Sequence, residues 1–312
     1  MNLTATNRLP RRSLLALSLI LVGACNQTPT EITPLPRALG EVAAVRINMN
    51  SLAPLDQATE GTYILWGLGE RNQTGRLGEF FIDPTSGAVV DGNGAPLDTF
   101  ATDEIALRTL QGILVTIEVN PESTSPTGMQ ILSGTFIDRV ANLTVPISSG
   151  ISSASGSLRV FTPTDGPNTN ENAGLWMVDA TGMPSLNMPD TTAALQFETF
   201  IEIGGQNINL GRFDVVDNRD DLCRFCADFE EFPQPERPGD DLLLNPPEGL
   251  LFPGDISGTI VRISLEGRFN DFATQSQLIV LEAMLPSGLS GGEIVAFTNL
   301  AASFPTGQAV LY

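Results

Sequence analysis

The sequence contains no histidine and no lysine. Without imidazole there is no Ser-His or Cys-His nucleophile pair, no imidazole general base and no histidine metal ligand. Without lysine there is no Schiff-base amine and no phosphate-loop lysine. Carboxylate chemistry of the glycosidase kind is the main catalytic route left open. Positive charge is scarce altogether: 16 arginines face 36 acids, a net charge of −20. A surface of that sign repels nucleic-acid phosphates and anionic lipid head groups, so nucleic acid is not expected as a partner. No run of about 20 apolar residues, the length a spanning helix needs, occurs. Cysteine is limited to Cys25, Cys223 and Cys226.

The N-terminal stretch is what stands out. Arg8, Arg11 and Arg12 precede an apolar segment from Leu14 to Leu21, and Val22-Gly23-Ala24 lead into Cys25. A cationic start, a short apolar middle and small residues before a cut are the parts of a secretory signal. A cysteine directly after the small residues makes this a lipobox, where bacteria attach lipid and then cleave. Residues 1–24 are therefore expected to be a lipoprotein signal peptide, and Cys25 the lipidated mature terminus. A plain secretory signal with a chance cysteine is the alternative. Two or three acyl chains such as palmitate hold a protein durably at a membrane, whereas one does not. The expected location is extracytoplasmic, lipid-anchored to a bacterial membrane, facing the periplasm or on the cell surface. Cleavage removes three arginines and no acid, so the charge becomes 13 − 36 = −23. Residues 25–39, broken by Pro29, Pro34 and Pro36, read as a flexible tether.

Beyond the tether, short apolar alternations separate clusters of Gly, Pro, Asn and Thr. Val45, Ile47 and Met49 alternate with Arg46 and Asn48. Ile113, Val115, Ile117 and Val119 alternate with Leu114, Thr116 and Glu118. Val261, Ile263 and Leu265 alternate with Arg262, Ser264 and Glu266. Period-two alternation puts one face in a core and the other in water. The predicted class is all-β: two tandem immunoglobulin-like β-sandwich domains, with a weak helical candidate at Asp103–Gln111.

An internal repeat supports two units. Val45-Arg46-Ile47 resembles Leu158-Arg159-Val160. Tyr63-Ile64-Leu65-Trp66 matches Gly174-Leu175-Trp176-Met177, and Trp66 and Trp176 are the only tryptophans. Leu77-Gly78-Glu79-Phe80 matches Leu210-Gly211-Arg212-Phe213, and Ile113 to Glu118 resembles Val261 to Glu266. The four pairs keep their order. A run of Ser, Gly and Ala at Ser148–Ser155 marks the boundary. The expected domains are residues 40–153 and 154–312, the second carrying an acidic insertion at 217–252. Each tryptophan is expected to be a core residue spanning two sheets, with sugar stacking as the alternative.

These motifs resemble the extracytoplasmic C-terminal domain of anti-sigma-K factors. Tyr63-Ile64-Leu65-Trp66 and Leu77-Gly78-Glu79-Phe80 look like its Trp strand and Gly-x-Phe strand. Val115-Thr116-Ile117-Glu118, Ser125-Pro126-Thr127-Gly128 and Ile131-Leu132-Ser133-Gly134 are similar to its closing signature. The second unit is a divergent copy: Phe213 and Ile263-Ser264-Leu265-Glu266 keep the pattern while the Pro-Thr-Gly element is lost. The resemblance implies an immunoglobulin-like, extracytoplasmic fold with Trp66, Gly78, Phe80, Glu118, Trp176, Gly211, Phe213 and Glu266 as its signature. It does not carry anti-sigma activity, because the sigma-binding domain and spanning helix of that family have no counterpart here.

Few residues suggest chemistry. Cys223 and Cys226 read as a loop disulfide outside the cytoplasm; idle thiols, or a metal or redox role, are the alternatives. The acidic segment from Asp217 to Asp241 could hold calcium, yet it lacks a spaced Asp-x-Asp-x-Asp-Gly loop, and a solvated acidic loop is the plainer reading. No catalytic residue, metal or cofactor is expected. The reading is a lipid-anchored binding or envelope-structural protein without catalytic activity, its partner an envelope protein or polysaccharide. The alternatives are an extracytoplasmic sensor or regulatory component and a carboxylate-based envelope glycan hydrolase. Mass spectrometry of the membrane fraction is expected to find an acylated Cys25 at the mature terminus. An unmodified chain with its leader attached would refute the anchor.

Overall fold

The computed structural model describes residues 44–102, 110–147, 150–166, 169–220, 235–243, 246–247, 254–268 and 274–312. Cys25, Cys223, Cys226 and most of the helical candidate at Asp103–Gln111 lie outside them. The all-β expectation is met: among the described residues four antiparallel sheets account for the strands, and helix is limited to short 3-10 turns.

The first sheet orders β5 (Thr99–Ala101), β1 (Ala44–Asn50), β18 (Thr306–Leu311) and β8 (Val140–Leu143). The second orders β4 (Val89–Val90), β3 (Thr74–Ile82), β2 (Thr62–Leu68), β6 (Gly112–Glu118) and β7 (Met129–Thr135). In the third, β13 (Gly239–Asp241), β10 (Gly174–Trp176), β9 (Ser157–Val160) and β16 (Ile294–Ala296) are neighbours. The fourth orders β12 (Gln206–Phe213), β11 (Leu195–Ile203), β14 (Ile260–Gly267), β15 (Ile279–Met284) and β17 (Thr298–Asn299). Among the described residues no helix is long and apolar enough to cross a membrane.

Local sequence explains much of this. In β1 the side chains of Val45, Ile47 and Met49 are buried while Arg46, Asn48 and Asn50 are exposed, as the alternation requires. The β11–β12 hairpin turns at Gly204-Gly205, both with positive φ, between the paired residues Ile203 and Gln206. Two left-handed residues match the twist of the flanking strands, and glycine reaches that region without strain. Inside the first unit Tyr63 stacks on Phe80 at 5.3 Å and Phe80 meets Phe100 edge-on at 6.3 Å. Each such fully buried large side chain contributes about 1.5–3 kcal/mol. Gly78 lies under the Phe100 ring, where a Cβ would come within 2.7 Å of it.

The second and fourth sheets are copies of one another down to their irregularities. Tyr63 pairs with Phe80 and Leu65 with Gly78; likewise Phe197 pairs with Phe213 and Thr199 with Gly211. Both hairpins then shift register, between Leu65 and Trp66 in one and between Thr199 and Phe200 in the other. On the far side, Thr62 opposes Glu118 and Gln196 opposes Glu266. The outer pairs shift at matching places again, after Val115 and after Ile263. A bulge re-aims the residues that follow it, so shared bulges mean shared side-chain directions.

This register corrects the pairing of the tryptophans. The counterpart of Trp66 is Phe200, and the counterpart of β2 is β11. Trp176 lies in β10, in a different sheet between β9 and β13. Both tryptophans are fully buried, but neither spans the main inter-sheet core. Trp66 sits with Ile64 and Leu114 in a small separate cluster, and Trp176 packs against Phe161 at 5.1 Å.

A second correction concerns the polar side of the central strands. Leu114, Thr116 and Glu118 were expected to face water, yet every residue of β6 is buried. The polar groups are satisfied by one another. The Trp66 indole N–H donates to Thr116 Oγ1 at 2.9 Å, and the Thr116 hydroxyl donates to Glu118 Oε1 at 2.6 Å. Thr127 donates to the same carboxylate from its backbone N–H and its hydroxyl.

Strand pairing also runs across the boundary expected near residue 153. The final strand β18 pairs with β1 over Val45–Asn50 and with β8 on its other side. The insertion at 217–252 contributes β13 to the third sheet. Its acids are not all solvated: Asp220, Asp240 and Asp241 are buried. Asp241 accepts hydrogen bonds from the N–H groups of Thr164 and Leu243. Gly211, at φ +127°, leaves room for the Asp220 carboxylate where a Cβ would sit.

Replacing Thr116 with Val keeps the shape and removes the hydroxyl that joins Trp66 to Glu118. Orphaning a buried donor and part of a carboxylate costs about 1–3 kcal/mol. Urea unfolding is expected to show the stability lowered by that amount, through a lower midpoint with an unchanged slope. A variant as stable as the parent would show that the chain of bonds contributes nothing.

Candidate functional site

The site with the most built structure lies where the segment after β1 meets the segment before β15. Three groups form a closed ring of hydrogen bonds. The Gln277 amide Nε2 donates to the Tyr63 hydroxyl at 2.6 Å, and that hydroxyl donates to the Ala53 carbonyl at 2.9 Å. The Ala53 N–H completes the ring on Gln277 Oε1 at 2.8 Å. Every donor and acceptor in the ring has one directed partner, so the two segments are fixed in register over 200 residues of sequence. Burial holds the Tyr63 hydroxyl above its ordinary range, against the opposing bond from Gln277.

Beside this ring is a cavity of about 160 Å³. Ile117 and Met129 from the second sheet and Pro54 and Leu55 form its apolar walls. Glu266, Gln275 and Glu60 supply its polar groups. Glu266 lies at the end of β14, an interior strand of the fourth sheet, as Glu118 lies at the end of β6, an interior strand of the second. Its Oε1 accepts the Ser264 hydroxyl at 2.6 Å and the Ser276 N–H at 2.8 Å. The two copies therefore share a Thr-x-Glu or Ser-x-Glu hydrogen bond on the same face of a strand. Burial pushes the Glu266 carboxyl up to about 8; its bonds to Ser264 and Ser276 oppose the rise and the charge of Glu198 adds to it. Glu266 therefore holds its proton to higher pH than an ordinary glutamate.

Next to the cavity, and sharing Pro54 and Leu55 with it, is an open cleft of about 500 Å³. Phe81, Pro84 and Val90 give it apolar surface, and Asp56, Asp83 and Asp91 stand around it. The last two are fixed by their own turns. Asp83 Oδ1 accepts the Ser86 hydroxyl and the N–H groups of Thr85 and Ser86. Asp91 Oδ1 accepts the N–H groups of Asn93 and Ala95. These bonds hold both carboxyls below their ordinary range, led by the Ser86 hydroxyl for Asp83 and the Ala95 N–H for Asp91. Asp91-Gly92-Asn93-Gly94 is legible as a turn from sequence alone; its place on a cleft is not.

A third hollow, of about 320 Å³, carries Arg212, Arg219 and Arg268. Arg268 makes a two-pronged pair with Asp214 at 2.6 and 2.8 Å, which pulls the Asp214 carboxyl below its ordinary range. Arg212 bonds Glu198 at 3.0 Å, and Asn209 donates to the same Glu198 oxygen. The charge of Glu198 is felt at Glu266, but Glu198 is bonded to Arg212 and lines none of these three openings. Among the described residues no group of three or more acidic or cysteine side chains is placed to hold a metal ion.

The signature residues serve in different places. Gly78, Phe80, Gly211 and Phe213 build the hairpins, Glu118 closes the Trp66 bonds, Trp176 packs in the third sheet, and Glu266 reaches a cavity. Tyr63, Gln275 and Gln277 carried no sequence signal beyond the apolar strand in which Tyr63 lies. No protein-family model, curated protein or solved structure matches the chain.

Glu266 binds its proton more tightly in the folded than in the unfolded protein. Its contribution to stability is therefore complete below the ordinary glutamate range near ~4.3 and is lost as pH rises to about 8. Urea unfolding is expected to show stability declining across that interval, by on the order of a few kcal/mol in all. The Glu266→Gln variant is expected to lack that slope. A parent and variant with parallel pH profiles would contradict the buried acid.

Proposed function

We propose that the chain is an exported, lipid-anchored binding protein of the bacterial envelope that performs no catalysis. The N-terminal Leu14–Cys25 pattern supports export and anchoring. The absence of histidine and lysine, together with the absorption of Glu198 and Glu118 into internal hydrogen bonds, supports a non-catalytic role. The observation that carries the binding role is the open cleft of about 500 Å³ lined by Phe81, Pro84 and Leu55 together with Asp56 and the turn-held Asp83 and Asp91. Loops fixed on a rigid scaffold are where binding residues concentrate.

The chemistry of the cleft selects its ligand. Three carboxylates on a chain of net charge −20 disfavour anions, and the apolar floor rewards burial of a hydrophobic group. The fitting ligand is a segment of a partner protein that alternates basic and apolar side chains.

The test uses the soluble fragment 27–312 and two fluorescent peptides, one alternating Arg with Leu and one alternating Glu with Leu. Saturable binding of the basic peptide alone is expected, weakening with salt. Asparagine keeps each turn and removes its charge, so the triple variant D56N/D83N/D91N is expected to weaken binding roughly tenfold. No binding, or equal binding by parent and variant, would overturn this reading.

A further inference from the structure

We propose that β18 is an exchangeable strand, and that the slot it fills between β1 and β8 also accepts β18 of a second molecule of this chain. The pairing registers carry the argument. The first and third sheets repeat one another as the second and fourth do. Strands run in the order β8-β18-β1-β5 in one and β16-β9-β10-β13 in the other. Arg46 pairs with Val310 and Thr99, and Trp176 pairs with Arg159 and Gly239. Val140 opposes Val310 where Ile294 opposes Arg159. The other two sheets give the same match: Ser133 meets Thr144 and Glu282 meets Thr298, equally far along the chain from Val140 and Ile294. The counterpart of β1 is therefore β10, and not β9 as its Val-Arg-Ile motif suggests. The counterpart of β9 is β18. The turns ahead of these two strands match as well: the Ser153 hydroxyl donates to the Gly150 carbonyl at 2.8 Å, and the Ser303 hydroxyl to the Leu300 carbonyl at 2.7 Å.

The consequence is a reciprocal exchange of strands within one chain. β9 follows β8 in sequence yet completes the sheet of the second repeat, and β18 follows β17 yet completes that of the first. The chain has the form of a strand-swapped dimer fused into one polypeptide. Swapping an element between identical partners costs little, because the contacts made are the same in either arrangement. β18 therefore has two equivalent destinations: the first repeat of its own molecule or that of another. It is held more lightly than its counterpart. Ala309 is its one fully buried side chain, whereas β9 buries Leu158 and Val160. Only Phe304 and Pro305 join it to the preceding turn at Ala301–Ser303, and short hinges favour exchange between molecules. The slot also selects its occupant. A Cβ on Gly307 would come within 2.6 Å of Met49 Sδ and 3.0 Å of the Asn48 carbonyl oxygen, so a strand needs glycine at that register. A second molecule of this chain supplies it.

Disulfide trapping on the 27–312 fragment tests the exchange. Asn48 and Gln308 are paired and exposed, and cross-strand partners lie within the separation a disulfide spans. Asn48→Cys and Gln308→Cys proteins are mixed, held in mild urea so that the least stable strands open, returned to buffer and oxidised. Peptide mapping distinguishes the new link from any bond of Cys223 or Cys226. A 48–308 disulfide between two chains is expected at least about tenfold more often than a link between Asn48→Cys and Gln206→Cys, the latter at an exposed position outside the slot. Light scattering is expected to show dimers or longer chains of the parent after the same cycle. The N48C/Q308C double variant, oxidised beforehand, holds β18 in its own molecule and is expected to stay monomeric. The D56N/D83N/D91N variant is expected to exchange like the parent, which separates this proposal from the cleft. Circular dichroism confirms folding of each variant. A parent that stays monomeric, or a 48–308 link no more frequent than the control link, would overturn the proposal. So would a locked double variant that assembles as the parent does.

Discussion

A carboxylate buried at the end of an interior strand is the constraint around which this protein is arranged. Glu118 is the last residue of β6, buried on both faces, and Glu266 is next to last in β14, buried on both faces from Ile263 onward. A carboxyl in such a place is tolerable only if its oxygens are bonded or its proton is kept. The chain uses both solutions. Glu118 gathers Thr116 and Thr127, and through Thr116 it fixes the Trp66 indole. Glu266 gathers Ser264 and Ser276 and holds its proton to higher pH than an ordinary glutamate. From one motif arise a bonded cluster that includes a tryptophan in one copy and a buried carboxyl beside a cavity in the other.

Divergence between the copies follows from what lies opposite each site. Trp66 fills the outer face of the second sheet. At the matching position in the fourth sheet stands Phe200, and the register places Arg262 across from it. Arg262 bonds Glu282 and Glu202 at 2.8 and 2.9 Å. Apolar packing on one outer face is thus replaced by ion pairs on the other. The glycine opposite Leu65 or Thr199 is kept for two different reasons: Gly78 admits the Phe100 ring, and Gly211 admits the Asp220 carboxylate. A repeat conserves backbone geometry more strictly than the groups that exploit it.

The hairpins and their shared faces were legible in the residues. The Gly78-x-Phe80 and Gly211-x-Phe213 spacings locate β3 and β12, and the alternations at Val45 and Val261 locate β1 and β14. The match of Trp66 to Trp176 misled because tryptophan is rare and conspicuous, while register is set by pairing partners distant in sequence. Burial of Glu118 was hidden because a strand pattern reports alternation and says nothing of whether both faces are covered. Gln277, which ties Tyr63 to Ala53, lies among polar residues with no pattern at all.

Sequence alone decided the class and the local elements: period-two apolar spacing and paired glycines at positive φ dictate antiparallel hairpins, because strand pleat and turn sterics are properties of a few neighbouring residues. Only the tertiary structure decided that β18 returns to β1, that the acidic insertion supplies β13, and that Glu266 lies beside the same cavity as Ile117 and Met129. Those arrangements depend on which surfaces meet across two hundred residues of chain, and burial of apolar area, being non-directional, leaves no local mark of its partner.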